Sequence, residues 1–220
     1  MPRTMFPSVS DQVLDQAMHL FWEQGYFDTS IDEIVAQTGL SRAAIYAAFG
    51  SKEQLFSAML TRFRRMHTDS MLSPLQAKDA GLPELHVFLL RVRSALSRRE
   101  SRLGCLLCAT SADPSAHMPM VAPIIRTFIS DLRCLITRAL RHAQASGQIQ
   151  YDGPVEPLAA GLTASVIGLM TLARSPTSRR TVVCAVDGVL QYLDALTEST
   201  SARLPSATSS VARPTRVASE

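Results

Sequence analysis

Two cysteines three positions apart, Cys105 and Cys108, are the residues whose type and spacing most clearly suggest chemistry in this sequence. They stand in the segment GCLLC, where we expect a short helix to begin. A thiol at a helix N-terminus has its thiolate stabilised by the helix dipole and by free N–H groups, which lowers the thiol pKa and raises its reactivity. Arg102 would add to this effect. The pair therefore indicates a sensor of oxidants or electrophiles, in which Cys105 reacts and Cys108 resolves it.

Two other interpretations of the pair stay open. Free cysteines are among the most buried residue types, so both thiols would then simply fill the core. A metal site would use Cys105, Cys108 and His117, although a single C-x-x-C motif supplies few soft ligands. The five histidines contain no i, i+4 pair, and we predict no metal site and no cofactor.

Known catalytic motifs are missing from the sequence. It contains no nucleophile elbow, no phosphate-binding glycine loop and no HExxH motif, and a thiol oxidoreductase would need a βαβ context that we do not find. We therefore predict that the protein is not an enzyme. The sequence has four cysteines and no apolar leader of signal-peptide length, so we expect reduced thiols in the cytoplasm.

The segment 30–52 predicts a helix-turn-helix with both helix starts marked. Ser30 and Glu33 form a capping box, and Gly39 provides the positive φ that ends a helix at low cost. Ser41 caps a second short helix, and Ser51 opens a third one that should extend to about residue 72. Two short helices joined by a tight turn are typical of DNA-binding proteins that place the second helix in the major groove.

The same stretch resembles the N-terminal domain of TetR/AcrR-type transcriptional regulators over residues 9 to 66. The matching residues are Gly25, Thr29, Ser30, Ile34, Val35, Ala36, Gly39, Leu40, Ser41, Ile45, Tyr46, Phe49, Lys52 and Glu53. The sequence departs from the family pattern at Ala47 and Ala48, where the family often carries a bulky residue and a His. Alanine contacts a thymine methyl but forms no hydrogen bond with a base edge, so base readout should depend more on Arg42 and on DNA shape.

The resemblance implies a DNA-binding set, whose members are Thr29, Ser30, Ser41, Arg42, Ala43, Ala44, Tyr46 and Lys52. In this set Ser30 and Lys52 hold phosphates, Arg42 and Ala44 face the bases, and Tyr46 lies at the groove edge. The net charge of +3 is low for a nucleic-acid-binding protein. DNA binding must therefore come from a few placed groups, doubled by dimerisation.

Helical periodicity continues to about residue 198, and no strand pattern is found. We predict an all-α protein of about nine helices, with a helix-turn-helix domain at 8–68, a helical ligand-binding and dimerisation domain at 69–198, and a disordered tail at 199–220. The segment 73–83 is predicted to be a loop. The segment 157–173 has no charged residue, and we expect a helix buried on all sides, against its own domain and a partner subunit, rather than a membrane span.

The last helix has apolar residues at 4-3-4-3 spacing, which is an a/d seam of about two heptads. This seam packs either within the chain or against a second copy, and we predict a homodimer interface made of Leu158, Leu162, Leu169, Val182, Val186, Val189, Leu193 and Leu196. By resemblance, a pocket for a small lipophilic effector lies in the C-terminal domain. Its candidate residues are Phe88, Met118, Phe128 and Met170, with Cys105 and Cys108 as candidate sensor residues.

These expectations combine into one function. The resemblance implies a cytoplasmic homodimeric repressor that leaves a palindromic double-stranded operator when an effector binds or a cysteine is modified. The same fold acting as an activator or as a thiol sensor through Cys105 is the alternative, and a thiol-dependent enzyme is a remote one.

Overall fold

The structure, a computed structural model, describes residues 9–98 and 103–197, and the side chains of these residues except 9, 10 and 67–69. The described part is entirely helical, which confirms the predicted fold class. Ten α-helices and a 3-10 helix at Pro114–His117 are present: α1 Val9–Gln24, α2 Ile31–Thr38, α3 Arg42–Phe49, α4 Lys52–Met71, α5 Ser73–Gln76, α6 Leu82–Ser97, α7 Leu106–Ser111, α8 Ala122–Ala145, α9 Val155–Leu172 and α10 Arg179–Ala195. The predicted tail at 199–220 lies outside the described residues.

Helices α1 to α3 pack with the first half of α4 into a small N-terminal head. Phe21, Ile34, Ile45 and Phe56 are almost fully buried at its centre. The guanidinium of Arg62 on α4 lies 2.8 Å from a carboxylate oxygen of Asp11 and of Asp15, both on α1. This doubly paired arginine ties α1 to α4.

Helices α6 to α10 form the body of the protein. α8 packs along α9, α10 packs mainly on α6, and α7 fills the space between α4 and α9. The buried stripe of α8 includes Phe128, Leu132 and Ile136, at the spacing of an amphipathic helix. α4 runs from the head into this body, where Arg64 is paired with Asp131 of α8.

The prediction of a loop at 73–83 was wrong in part. One helical turn, α5, starts directly after Leu72, and α6 begins at Leu82. Pro74 fits the first turn of a helix, where its missing N–H costs nothing, and fully buried Leu75 anchors the turn. Tertiary burial of one leucine thus orders a segment whose composition is typical of a loop.

Helix α9 is not buried on all sides within the chain. Val155, Ala159, Leu162 and Val166 face inward, whereas its opposite side is open. Among the described helices, α9 is long and apolar enough to span a membrane by composition, and 39% of its 18 residues are buried. The expected burial against its own domain is therefore seen on one face only.

The a/d seam of α10 packs within the chain. Val182, Val186 and Leu193 are at most 2% exposed, and the ion pair between Arg93 and Asp187 ties the helix to α6. Leu162 and Leu169 of α9 are also largely buried, so these five side chains have little exposed surface in the protomer, and the predicted dimer interface stays a prediction. Side chains already packed inside a protomer offer little surface to a partner.

Candidate nucleic-acid interface and internal cavity

Helix caps define the geometry of the helix-turn-helix. The Ser30 hydroxyl accepts from the backbone N–H of Glu33, and the Glu33 carboxylate accepts from the N–H of Ser30 at 2.7 Å. Gly39 ends α2 at φ 70°, in the left-handed region, and Ser41 then caps α3 by accepting from the N–H of Ala44. The predicted caps are all present, so the two short helices are held at a fixed turn.

Helix α3 presents nearly its whole circumference to solvent. Ile45 is the residue that anchors it in the head core, and Phe49 is half-buried. The predicted contact residues Arg42, Ala43, Ala44 and Tyr46 are all exposed, as are Ala47 and Ala48. The four alanine side chains are small, which permits a close approach of the α3 backbone to a DNA groove.

The guanidinium of Arg42 is already paired inside the helix-turn-helix. One of its terminal nitrogens lies 2.5 Å from the Asp32 carboxylate on α2, and this pairing raises the pKa of Arg42. Both side chains are more than half exposed, so the pair is open to competition from DNA. Sequence reasoning missed Asp32, since nothing in a single sequence links two charges ten positions apart in different helices.

Lys52 lies at the first position of α4, with its ammonium group 4.4 Å from the centroid of the Tyr26 ring. This distance is within the range of a cation–π contact. Partial burial lowers the pKa of Lys52, while the carboxylates of Asp28 and Glu33 act in the opposite direction. Tyr26 in turn packs against Phe56 at a ring separation of 5.1 Å, so the ammonium is held close to the head. Tyr26 was also not anticipated as a site residue.

The remaining residues of the predicted DNA-binding set differ in accessibility. Ser30 and Ser41 are exposed at the N-termini of α2 and α3. Thr29 is fully buried, and its hydroxyl donates to the carbonyl of Gly25 at 2.7 Å. Thr29 therefore stabilises the turn that leads into α2, and its side chain has no free surface for a phosphate in this conformation.

A closed apolar cavity lies in the body, between α4, α6, α7, α8 and α9. Its lining consists of Met71, Leu72, Phe88, Val92, Cys108, Phe128, Leu132, Val166 and Met170. The structure thus brings together four of the predicted effector and sensor residues, Cys108, Phe88, Phe128 and Met170. Met118 lies elsewhere, half-buried beside the 3-10 helix, and Cys105 does not line the cavity. The free volume of about 10 Å³ has room for at most one water molecule, so the walls must separate before any larger ligand enters.

The thiols of Cys105 and Cys108 lie side by side at the start of α7. Cys105 is the N-cap residue, and both cysteines are at most 2% exposed. A hydrogen bond from the Cys108 thiol lowers the pKa of Cys105, and the same pairing raises the pKa of Cys108. His117 is exposed, and no group of three His, Cys, Asp or Glu side chains within the described ranges is arranged to hold a metal ion.

A compact head with a capped, exposed second helix, joined by a long helix to an all-helical body, defines a helix-turn-helix DNA-binding protein. The family model for bacterial regulatory proteins of the tetR family matches residues 13–59, and the model for the tetracyclin repressor-like C-terminal domain matches residues 81–188. The chain belongs to the TetR family of transcriptional regulators.

Individual relatives agree with this assignment. The chain is 26% identical to the HTH-type transcriptional repressor ComR of Escherichia coli over 172 residues, which are 76% of this chain and 80% of ComR. A TetR transcriptional regulator from Chloroflexus aurantiacus is similar at a TM-score of 0.74 and 27% identity, over 84% of this chain and 94% of that one. A cysteine-substituted variant of the regulator CifR, complexed with 26-base-pair operator DNA, gives a TM-score of 0.70 at 24% identity, over 87% of this chain and 98% of that one.

Proposed function

We propose that this protein is a homodimeric repressor that binds a near-palindromic operator and is released by a neutral lipophilic effector. The capped helix-turn-helix with its exposed α3 is the observation that carries the proposal. Arg42 reads a base, Lys52 and Ser30 hold phosphates, and the two heads of a dimer occupy successive major grooves about one helical turn apart. ComR, a relative of similar length, is named a repressor, which agrees with this direction of control.

The open faces of α9 and α10 support a second copy of the chain as the partner. A groove of about 410 Å³ runs between the two helices and is lined by Pro157, Leu158, Gly161, Leu162, Ser165, Gly188, Val189 and Tyr192. Tyr192 is an exposed aromatic residue at one end of this groove. Two copies related by a two-fold axis would bury these faces in a four-helix arrangement, with glycines permitting close helix approach. Of the interface predicted by sequence, Leu158, Leu162 and Val189 line this groove, while half-buried Leu196 lies outside it.

The closed cavity supports a neutral apolar effector, because its lining carries no charged side chain. Met71 and Leu72, two of its walls, are the end of α4. A ligand that opens the cavity must displace this end, and α4 carries the head at its other end. The effector therefore favours a conformation in which the heads no longer match the operator, and linkage makes DNA and effector weaken each other's binding equally.

A thiol sensor is the second candidate, favoured by the hydrogen-bonded pair of Cys105 and Cys108. In this version a hydroperoxide accepts two electrons and the two thiol protons, so that it becomes an alcohol and water while an S–S bond forms between Cys105 and Cys108. Both thiols are buried, so the oxidant must enter through an opened α7 region. Loss of DNA binding on hydroperoxide treatment, its recovery with reductant, and its absence in Cys105→Ser would favour this candidate over the lipophilic effector.

The dimer is tested by Gly188→Arg, measured by sedimentation velocity. A Cβ at Gly188 meets nothing within 4 Å in the protomer, so the variant should fold, and replacing a helical glycine does not weaken α10. An arginine inside the groove should convert the dimer to a monomer and abolish tight operator binding. Gln191→Arg, exposed on the same helix but outside the groove, is the matched control. A Gly188→Arg protein that still sediments as a dimer would refute this interface.

A further inference from the structure

The C-terminal end of α1 is capped by an arginine from a distant part of the chain. Helix ends leave carbonyl groups without partners inside the helix. One terminal nitrogen of Arg174 donates to the carbonyl of Trp22 at 2.6 Å, and the other lies 3.4 Å from the carbonyl of Glu23. A guanidinium at this position also complements the negative end of the α1 dipole. The head is therefore fastened to the residues that follow α9.

A third segment joins at the same point. The carbonyl of Leu103 accepts from the indole N–H of Trp22 at 2.9 Å and from Arg174 at 3.2 Å. The next residue, Gly104, has φ +59°, and a Cβ there would lie 2.1 Å from the carbonyl oxygen of Met170 on α9. Only glycine allows so close an approach. Residues near positions 22, 103 and 174 thus meet in one hydrogen-bonded junction.

This junction differs from the other contacts between head and body. Glu53 accepts from the N–H of Met120 at 3.0 Å, and Arg64 pairs with Asp131, but both residues belong to α4, which itself runs from head to body. Arg174 instead ties α1 to the end of α9, the helix whose outer face forms the proposed dimer surface. The orientation of the head therefore depends on its contact with α9, which carries the proposed dimer surface, as well as on α4.

We infer that Arg174 is a positioning residue for operator binding, which fixes the separation and angle of the two heads without touching DNA. The inference rests on the proposed homodimer. Arg174 follows the α9 helix by two residues, so any change in how two α9 helices pack moves its guanidinium relative to α1. A head without this contact retains Arg42 and Lys52 and still binds a half-site, but it samples a wider range of separations from its twin.

The test compares operator spacing rather than affinity alone. The native protein first selects a duplex from a random-sequence pool, and variants of that duplex carry one base pair inserted or deleted between the half-sites. We expect Arg174→Ala to lose about tenfold in affinity on the native spacing, the effect of losing charge-assisted hydrogen bonds, and about twofold or less on the altered spacings. Arg174→Lys keeps the charge and donors and should recover most of the spacing preference. Trp22→Phe removes the indole N–H donor together with part of the ring that packs against Phe63, and should change the preference in the same direction by a smaller factor.

Arg180→Ala, which deletes an exposed arginine from the first turn of α10, is the matched control and should leave the spacing preference unchanged. An Arg174→Ala protein that loses the same factor on every spacing, or none on any, would overturn the positioning role while leaving the dimer intact. A native protein that shows no spacing preference would contradict both the positioning role of Arg174 and the binding of two heads at a fixed separation. Sedimentation of the complex then shows whether one chain or two are bound to the duplex.

Discussion

Replacing Lys52 by alanine should weaken DNA binding in a salt-dependent manner that follows from its place in the head. Lys52 is the first residue of α4, and its ammonium group lies over the Tyr26 ring, next to the capped N-terminus of α2. Such a group contacts a phosphate and not a base edge, so its loss affects every sequence alike.

The size of the effect follows from counterion release. Each phosphate contact contributes about 0.9 to the slope of log affinity against log salt, and a dimer carries two copies of Lys52, so the variant's slope should be shallower by about 1.8. Over a fourfold rise in salt, from about 50 to about 200 mM, the ratio of the native affinity to the variant affinity should therefore fall by about twelvefold.

Fluorescence anisotropy titrations at four salt concentrations, with the selected operator and with a scrambled duplex, measure both slopes. Lys78→Ala removes an exposed lysine of the body and serves as the charge-matched control. A Lys52→Ala protein with an unchanged slope, or with a loss confined to one base position, would show that this lysine is not a phosphate contact.

Two further substitutions test the head. Arg42→Ala should reduce the discrimination in favour of the preferred base by about 1–3 kcal/mol at one position of each half-site, with little change at the other positions. Equal losses at all positions in a binding-site scan would show that Arg42 does not read a base. Ser30→Ala should destabilise the head by about 1 kcal/mol through loss of the α2 cap, seen as faster amide exchange in α2. Hydrogen bonds from the backbone N–H and the hydroxyl of Ser30 lower the pKa of Glu33 below its ordinary value. The stability that the ionised carboxylate adds to the head is therefore complete above the ordinary pKa, and it is lost as the pH falls through the lowered pKa. The native protein should show this acid loss in α2 exchange, and an equal acid response in Glu33→Gln, which lacks the titrating carboxyl group, would contradict the assignment.

The head was predictable from sequence because its signals are local. Ser30, Gly39 and Ser41 each act within four residues of themselves, and the structure shows every one of these caps. The apolar periodicity of α8 likewise depends on neighbours along one helix. The pocket candidates Phe88, Phe128 and Met170 converge on one cavity because helical stripes of an all-α body face a shared interior.

The missed features depend on contacts between distant segments. The a/d pattern of Val182, Val186 and Leu193 marks a buried face, but it cannot specify whether α6 or a second copy covers that face. Thr29 matches a position of the family pattern, yet its hydroxyl donates a hydrogen bond to the carbonyl of Gly25. The capping of α1 by Arg174, 152 residues away from Trp22, has no local signal at all.

Selection of binding sites from a random duplex pool by the purified protein is the most direct test of the proposed homodimeric regulator. We expect an enriched inverted repeat whose half-site centres lie about one helical turn apart, bound by two chains per duplex in sedimentation. Enrichment of a single unrepeated site bound by one chain, or no enrichment over random DNA, would contradict it.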